Sequence, residues 1–389
     1  MKLWNKGKEL NKVIEDFTIG DDYLLDKHLL KYDCLASIAH AKLLYKEKII
    51  SLNEFNKLKK SLNEIINNKN FEIKKEDEDC HTAIENYLIK KHGDLGKKIH
   101  TYRSRNDQVL VAIRLYEKNE LNKIIKLIKS LIKELNKKIK SKGNIKIPGY
   151  THMQKAMPSS IELWLNSFVY ALKDDLISIN CLIKKIDQNP LGSGSGFKFS
   201  NKIDKTITTK ELGFSKIQNN EMYCQMSRGK FESEILNQIN QISFILNKLS
   251  SDLLLFSMQE FNFIKLNDNL TTGSSIMPQK KNYDLLELIR ANYHVLLGEE
   301  FKIKSLIGNL ISGYNRDIQL TKKSLIESIN IIKKCLNVMI IVIKNLEINE
   351  NNFEKAMTKE LYATEEAYKL VKKGVPFRDA YKKIGEKFN

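Results

Sequence analysis

Five stretches of this 389-residue chain contain neither glycine nor proline: 103–142, 159–189, 230–272, 279–297 and 314–373. Inside a helix glycine costs ~1 kcal/mol and proline ~3 kcal/mol relative to alanine. Runs this free of both are what long helices require. A helix filling the first of these stretches would extend ~60 Å at 1.5 Å per residue. Apolar spacing supports the assignment. Ile235, Ile239, Ile242, Leu246, Leu249, Leu253 and Phe256 step alternately by four and three, a heptad seam that packs helices nearly parallel. Leu121, Ile124, Ile125, Ile128, Leu131, Leu135 and Ile139 form a similar pattern, as do Leu165, Phe168, Leu172, Leu176, Ile179, Ile183 and Ile186. The predicted fold class is all-α, a long-helix bundle.

Several of these helices are apolar beyond a single stripe, as in Leu253-Leu-Leu-Phe256. Extra apolar faces need covering, so further subunits are expected, a thick-cored monomer being the plainer alternative. At ~150 residues per domain the length suggests two or three domains. The breaks place a helical N-terminal domain at 1–101, the bundle at 102–350 and a short terminal domain at 351–389. No strand-rich region stands out. Residues 190–217 are expected to hold at most a short hairpin. Their Gly192-Ser-Gly-Ser-Gly196 run lacks the Lys-Ser/Thr ending and the strand-then-helix context of a phosphate loop. It reads instead as a turn between long helices.

Composition narrows the class. A 42% apolar content excludes wholesale disorder. Five cysteines without a Cys-x-x-Cys pair argue against a disulfide scaffold or zinc ribbon and fit a reducing cytoplasm. The apolar run Val338 to Ile343 falls far short of the ~20 residues of a membrane span. Met1 to Lys6 has charge but no apolar stretch behind it, so no signal peptide is expected. The net charge of +18 is carried mostly by lysines dispersed beside Asn and Ile. With no zinc-finger or RNP-like motif, it points to genome composition rather than to nucleic acid.

Three polar interruptions carry the chemistry. In His100-Thr-Tyr-Arg-Ser-Arg-Asn-Asp-Gln108, Ser104, Asn106 and Asp107 suit a helix N-terminus, where outward N–H groups favour anions. Arg103 and Arg105 add forked donors that match carboxylates. In Pro148-Gly-Tyr-Thr-His-Met-Gln154, His152 lies between a glycine-containing turn and a helix expected to open at Pro158. It is either a structural hydrogen-bonding residue or a general acid–base. In Thr271-Thr-Gly-Ser-Ser-Ile-Met-Pro-Gln-Lys-Lys-Asn282, hydroxyls, ammonium groups and an amide crowd around Gly273 and Pro278, with Glu287 following.

Gly273 to Asn282 with Glu287 resembles the signature loop of the fumarase/aspartase superfamily. Within it, the His100–Gln108 run, Gly149-Tyr-Thr-His152 and Tyr314-Asn-Arg-Asp-Ile-Gln319 with Lys322 are similar to the argininosuccinate lyases. The resemblance spans about Leu3 to Asp379. It implies a homotetramer with one shared helical core and active sites built from three subunits. It implies reversible cleavage of argininosuccinate to arginine and fumarate, for arginine biosynthesis, without metal or organic cofactor and without nucleic-acid or membrane partners. By carry-over Ser274 takes the proton, Lys280 and Asn282 bind the carboxylate where charge develops, His152 acts as acid for the leaving nitrogen, and Glu287 orients it. Ser104, Arg105, Asn106 and Thr151 position substrate, with Tyr314, Gln319 and Lys322 near its amino-acid end. The 271–282 loop is expected to close over substrate. Other superfamily lyases, acting on adenylosuccinate, aspartate or fumarate, and a non-catalytic crystallin-like protein are the alternatives.

Three departures stand out. Tyr102 replaces a usual glycine, so its side chain is expected to crowd the site or to need a backbone φ outside the glycine-only region. Tyr283 replaces a usual proline, and the resemblance marks the terminal region as truncated at Asn389.

Overall fold

The computed structural model describes residues 11–197 and 203–388. Met1 to Lys6, read above for a signal peptide, lie outside them. The fold is all-α. Among the described residues five long helices, Arg105–Lys142, Ile161–Ile186, Lys230–Phe256, Asp284–Ile307 and Thr321–Lys344, dominate, with three two-stranded pairings between elements. The heptad seam is buried: Ile235, Ile239, Ile242, Leu246, Leu249 and Leu253 are each at most 1% exposed. No described helix is long and apolar enough to cross a membrane. The breaker-free stretch 314–373 holds more than one helix. Its longest ends at Lys344, where Glu347–Ile348 pairs with Ile264–Lys265 and Asn349 caps the next helix. Tertiary pairing thus interrupts a stretch that composition left continuous.

The described residues divide into two compact units. One comprises the chain up to Ile124 with Ser178–Ile239 and Leu297–Asn330; the other comprises Ile125–Ile177, Asn240–Leu296 and the chain from Ile331. The first unit packs the helices Leu30–Lys46, Leu52–Asn67 and Cys80–His92 around Leu43, Leu44, Leu58, Leu62 and Leu88. In the second, Phe263 stacks on Phe353 with ring centroids 4.3 Å apart, and Phe256 meets both edge-on.

In the first unit the expected helix start at Ser104 is realised in detail. The Ser104 hydroxyl accepts the Asn106 N–H at 3.3 Å, and Asp107 Oδ1 accepts the Ser104 N–H at 2.9 Å. This reciprocal capping box satisfies donors that the first turn leaves orphaned. Asp107 Oδ2 meanwhile accepts the Gly192 and Gly194 N–H groups at 3.0 and 2.9 Å. The glycine–serine run is therefore an anion cradle after all, and its anion is the chain's own buried carboxylate. Gly192 and Gly194, at φ 93° and 58°, use the left-handed backbone that aims both N–H groups at it. Among the described residues of 190–217 no hairpin forms; Gln188–Asn189 instead pairs in parallel with Lys216–Ile217.

Asp107→Ala strips three N–H groups of their acceptor, those of Gly192 and Gly194 buried and that of Ser104 half-buried. Each unsatisfied group costs ~1–3 kcal/mol, so a loss of about 3 kcal/mol or more in unfolding free energy is expected. Urea titration reads it, and an unchanged midpoint would show that the cradle is not structural.

In the second unit the structure corrects the reading of 146–160. Lys146–Thr151 (β1) and Gln154–Ser160 (β2) form an antiparallel hairpin, so Pro158 lies within a strand and the helix begins at Ile161. The ladder shifts register between Pro148 and Tyr150, a bulge at Gly149. A Cβ there would sit 2.8 Å from the Met157 carbonyl oxygen, which requires glycine. The tip is His152-Met153, with φ of 52° and 62°. Two successive positive φ angles are the signature of the tight turn that matches strand twist.

Candidate active site

A cavity of about 190 Å³ opens in the first unit. Its wall brings together five of the residues singled out from sequence: Arg105, Asn106, Tyr314, Gln319 and Lys322. They come from four places, Tyr314 from the loop before a 3-10 turn. Arg105 and Asn106 begin the Arg105–Lys142 helix, the 3-10 turn Arg316–Leu320 carries Gln319, and Lys322 sits in the first turn of Thr321–Lys344. The turn is tied down by backbone oxygens: Arg316 donates to the Thr18 carbonyl at 2.7 Å, and Gln319 to those of Thr18 and Ile19 at 3.3 and 3.4 Å. Ser104 precedes Arg105 as the helix cap, half-buried, its hydroxyl occupied by the Asn106 N–H.

Acidic residues that sequence reading did not single out hold these cations. Lys322, 2% exposed, donates to Asp26 at 2.6 Å and lies 3.2 Å from Asp22. Burial would push its ammonium down, but Asp26 and Asp22 outweigh it and hold the group above its ordinary value. Arg105 forks onto Glu78 at 3.3 Å and pairs with Asp79. Burial would raise the Asp79 carboxyl; His81 and Arg105 reverse this and hold it below its ordinary value. His81 Nδ1 meets Asp33 at 2.9 Å, while its buried Nε2 has no partner and the ring lines the cavity. Against the cost of burial, Asp33 holds this imidazole above its ordinary value, so the protonated, anion-attracting form is favoured. His100 goes the other way: burial, with Arg103 and Arg105 nearby, pushes it down to about 4.

Arg103 turns away from the cavity, buried with its guanidinium donating to Ser37 at 2.9 Å. Tyr102 adopts φ 62°, the left-handed region that favours glycine, so the expected avoidance of that region does not occur. Its side chain packs on the apolar core of the N-terminal helices and does not line the cavity. The burial offsets the ~1–2 kcal/mol that a side chain costs in that conformation.

The remaining singled-out residues lie in the second unit. Backbone bonds of 3.1 and 2.8 Å between Thr272 and Asn282 close the neck of the 271–282 loop. Inside it, Ser274 Oγ accepts the N–H groups of Ile276 at 3.3 Å and Met277 at 3.1 Å. Donors converging on a hydroxyl oxygen favour its deprotonated form. Among the described residues the neighbouring Ser275 hydroxyl has no hydrogen bond. Asn282 donates its amide to the Gly273 carbonyl at 3.3 Å, and Lys280 is exposed on the same loop. Thr151 and His152 are exposed at the hairpin tip, and Glu287 is exposed on the first turn of Asp284–Ile307. Within one chain no hydrogen bond joins His152 to Glu287 or to Ser274.

Asp26, Cys80 and His81 place potential metal-ligand atoms within 4.8 Å of one another. The Asp26 oxygens are already engaged, one by the Lys322 ammonium and the other by the Cys80 N–H at 3.1 Å. Burial raises the Cys80 thiol well above its ordinary value, opposing the thiolate a metal needs. The cluster fits an ion-pair network better than a metal centre. In sequence its only signal was the polar run Asp77-Glu-Asp79-Cys-His81, at the N-terminus of Cys80–His92.

The family described as Lyase matches residues 4–298. The argininosuccinate lyase of Thermotoga neapolitana is 48% identical over 390 residues, covering all of this chain and 98% of that protein. The argininosuccinate lyase of Bacteroides fragilis is 38% identical over 387 residues, 99% of this chain and 87% of its own. Among solved structures, EDDS lyase in complex with formate superposes with a TM-score of 0.81 at 20% identity, over 97% of this chain and 76% of that one. That likeness concerns the fold.

Proposed function

The chain belongs to the argininosuccinate lyases of the fumarase/aspartase superfamily, and from that membership we propose that it cleaves argininosuccinate to arginine and fumarate. The observation that carries this reading is the cavity on which Arg105, Asn106, Tyr314, Gln319 and Lys322 converge. Its mixed lining of cations, carboxylates and amides suits a substrate with three carboxylates, a guanidino group and an ammonium.

The proposed chemistry is an anti elimination. Ser274 Oγ removes a proton from the carbon next to a succinate carboxylate, and the electron pair forms an aci-carboxylate. Lys280 and Asn282 stabilise that doubled charge, which is the largest electrostatic demand of the reaction. The pair then forms the fumarate double bond as the C–N bond breaks. His152, oriented by Glu287, protonates the departing guanidino nitrogen. The Ile276 and Met277 N–H groups lower the cost of the Ser274 alkoxide. Ser104, Arg105, Asn106, Thr151, Tyr314, Gln319 and Lys322 hold substrate so that the breaking C–H and C–N bonds align.

The loop and hairpin groups reach this cavity from neighbouring copies in a homotetramer. The single chain supports that assembly by what it leaves uncovered. Leu163, Tyr170 and Ile177 recur every seven residues along one helix, each about two-thirds exposed, and Leu288, Val295 and Phe301 stand exposed on another. Contiguous apolar stripes of this kind mark protein interfaces. This reading assigns the enzyme to the cytoplasm, a reducing compartment that five free cysteines fit.

Purified protein given argininosuccinate is expected to release fumarate, followed by its ultraviolet absorbance. A folded oligomer that releases none refutes the reading.

A further inference from the structure

The cavity's cations are not equivalent. Arg105 and Lys322 are neutralised by carboxylates, and Arg316 is spent on Gln319 and a backbone oxygen. Arg228 lines the same wall at 5% exposure, and its buried Nε has no partner. Among the described residues no carboxylate lies within ion-pair distance of it. Its positive charge repels that of Lys322 nearby. Glu232 and Asp22 are within its field, and burial holds both carboxyls above their ordinary values.

A buried guanidinium is costly unless it is paired. The backbone holds it there. Gly229, at φ 84°, lies so close to the Asp284–Ile307 helix that a Cβ would come within 2.4 Å of Ile307 Cγ2. The site therefore maintains a buried cation with no ion pair among the described residues, at the wall of a cavity that also contains Asp22, Glu78 and Asp79. A cation beside carboxylates complements a group carrying an anion and a cation on one carbon. In argininosuccinate that group is the α-amino acid of the arginine half; the succinate half has two carboxylates and no amine.

We propose that Arg228 binds the α-carboxylate of the arginine half of the substrate and so selects for an amino acid over the corresponding amine. The assignment rests on the lyase reading and adds a specificity residue to it.

The test compares arginine with agmatine, which differs only by lacking that carboxylate, as inhibitors of fumarate release from argininosuccinate. Wild-type protein is expected to bind agmatine about 10- to 100-fold more weakly, the worth of a hydrogen bond to a charged group. Arg228→Gln is expected to weaken arginine by that factor and agmatine by less than about threefold, erasing the preference. The KM for fumarate in the reverse reaction is expected to stay within about twofold. Equal losses for both inhibitors, a raised fumarate KM, or equal wild-type affinities would overturn the proposal. Should Arg228→Gln fail to fold, thermal protection of the wild type decides. Arginine is expected to protect at concentrations where agmatine does not, and equal protection overturns the assignment. A wild type that releases no fumarate defeats the lyase reading itself, a different outcome from an active enzyme that ignores the carboxylate.

Discussion

Ser274→Ala is expected to lower turnover by about three orders of magnitude or more, while the KM for argininosuccinate changes little. A positioned general base is worth ~10²–10⁴-fold, and the alkoxide-favouring N–H groups become useless without an oxygen to serve. A loss confined to turnover is the mark of a group acting chiefly in the transition state. The fold should not notice. Ser274 lies on a largely exposed loop, so water replaces its hydroxyl at the Ile276 and Met277 N–H groups. Unfolding free energy is expected to stay within about 1 kcal/mol of wild type. Ser275→Ala is the control. Its hydroxyl receives neither N–H, and turnover should fall by no more than about threefold on the scale of a surface substitution. Equal damage from the two substitutions, in steady-state rates on protein of unchanged oligomeric mass, would show that the geometry around Ser274 does not select it as the base.

The two serines show how far sequence reaches. Their adjacency was visible at once, and the family resemblance favoured the first. Only the turn geometry, which aims two N–H groups at one oxygen, gives a physical reason. The long helices were legible because each residue contributes locally: absent breakers, a repeating seam, and Ser104 with Asp107 at a cap. The Lys146–Ser160 hairpin was not. Its strands carry Pro148, Gly149 and Pro158, lack sustained apolar alternation, and turn at His152-Met153, which is not a turn-forming pair by composition. Cross-strand backbone bonds overrode weak propensity there.

The acidic half of the cavity was hidden for another reason. Asp26 meets Lys322 across 296 positions and Arg105 meets Asp79 across 26. No periodicity links such residues, so burial and charge pairing reveal them only once the chain is folded. Arg228 was missed similarly. A lone arginine between two helices is unremarkable in sequence, and becomes informative when its side chain is found buried, without an ion pair and facing a cavity. The Gly192–Gly196 run shows the reverse case. A pattern set aside as a turn does cradle an anion, because Asp107 arrives from elsewhere in the chain.

Mixing two dead proteins is expected to produce a live one. His152→Asn removes the acid and Ser274→Ala the base, so each homotetramer should retain about a thousandth of wild-type turnover or less. If Ser274 and His152 of one site come from different subunits, random reassembly of equal amounts leaves about one site in four with both groups intact, as the symmetry of a closed oligomer requires. Unfolding the mixture in denaturant and refolding it should raise activity by about two orders of magnitude over either parent. The placement of the two residues motivates the expectation: His152 is exposed on a hairpin tip and Ser274 half-buried on a loop, with no hydrogen bond between them inside the chain. If both groups came from the same subunit, every mixed site would still carry one lesion, and no mixing ratio would restore turnover. Native mass spectrometry of the mixture separates that outcome from failure to exchange subunits. Fully mixed tetramers that remain inactive would place both residues in one chain's site and remove the shared-site mechanism.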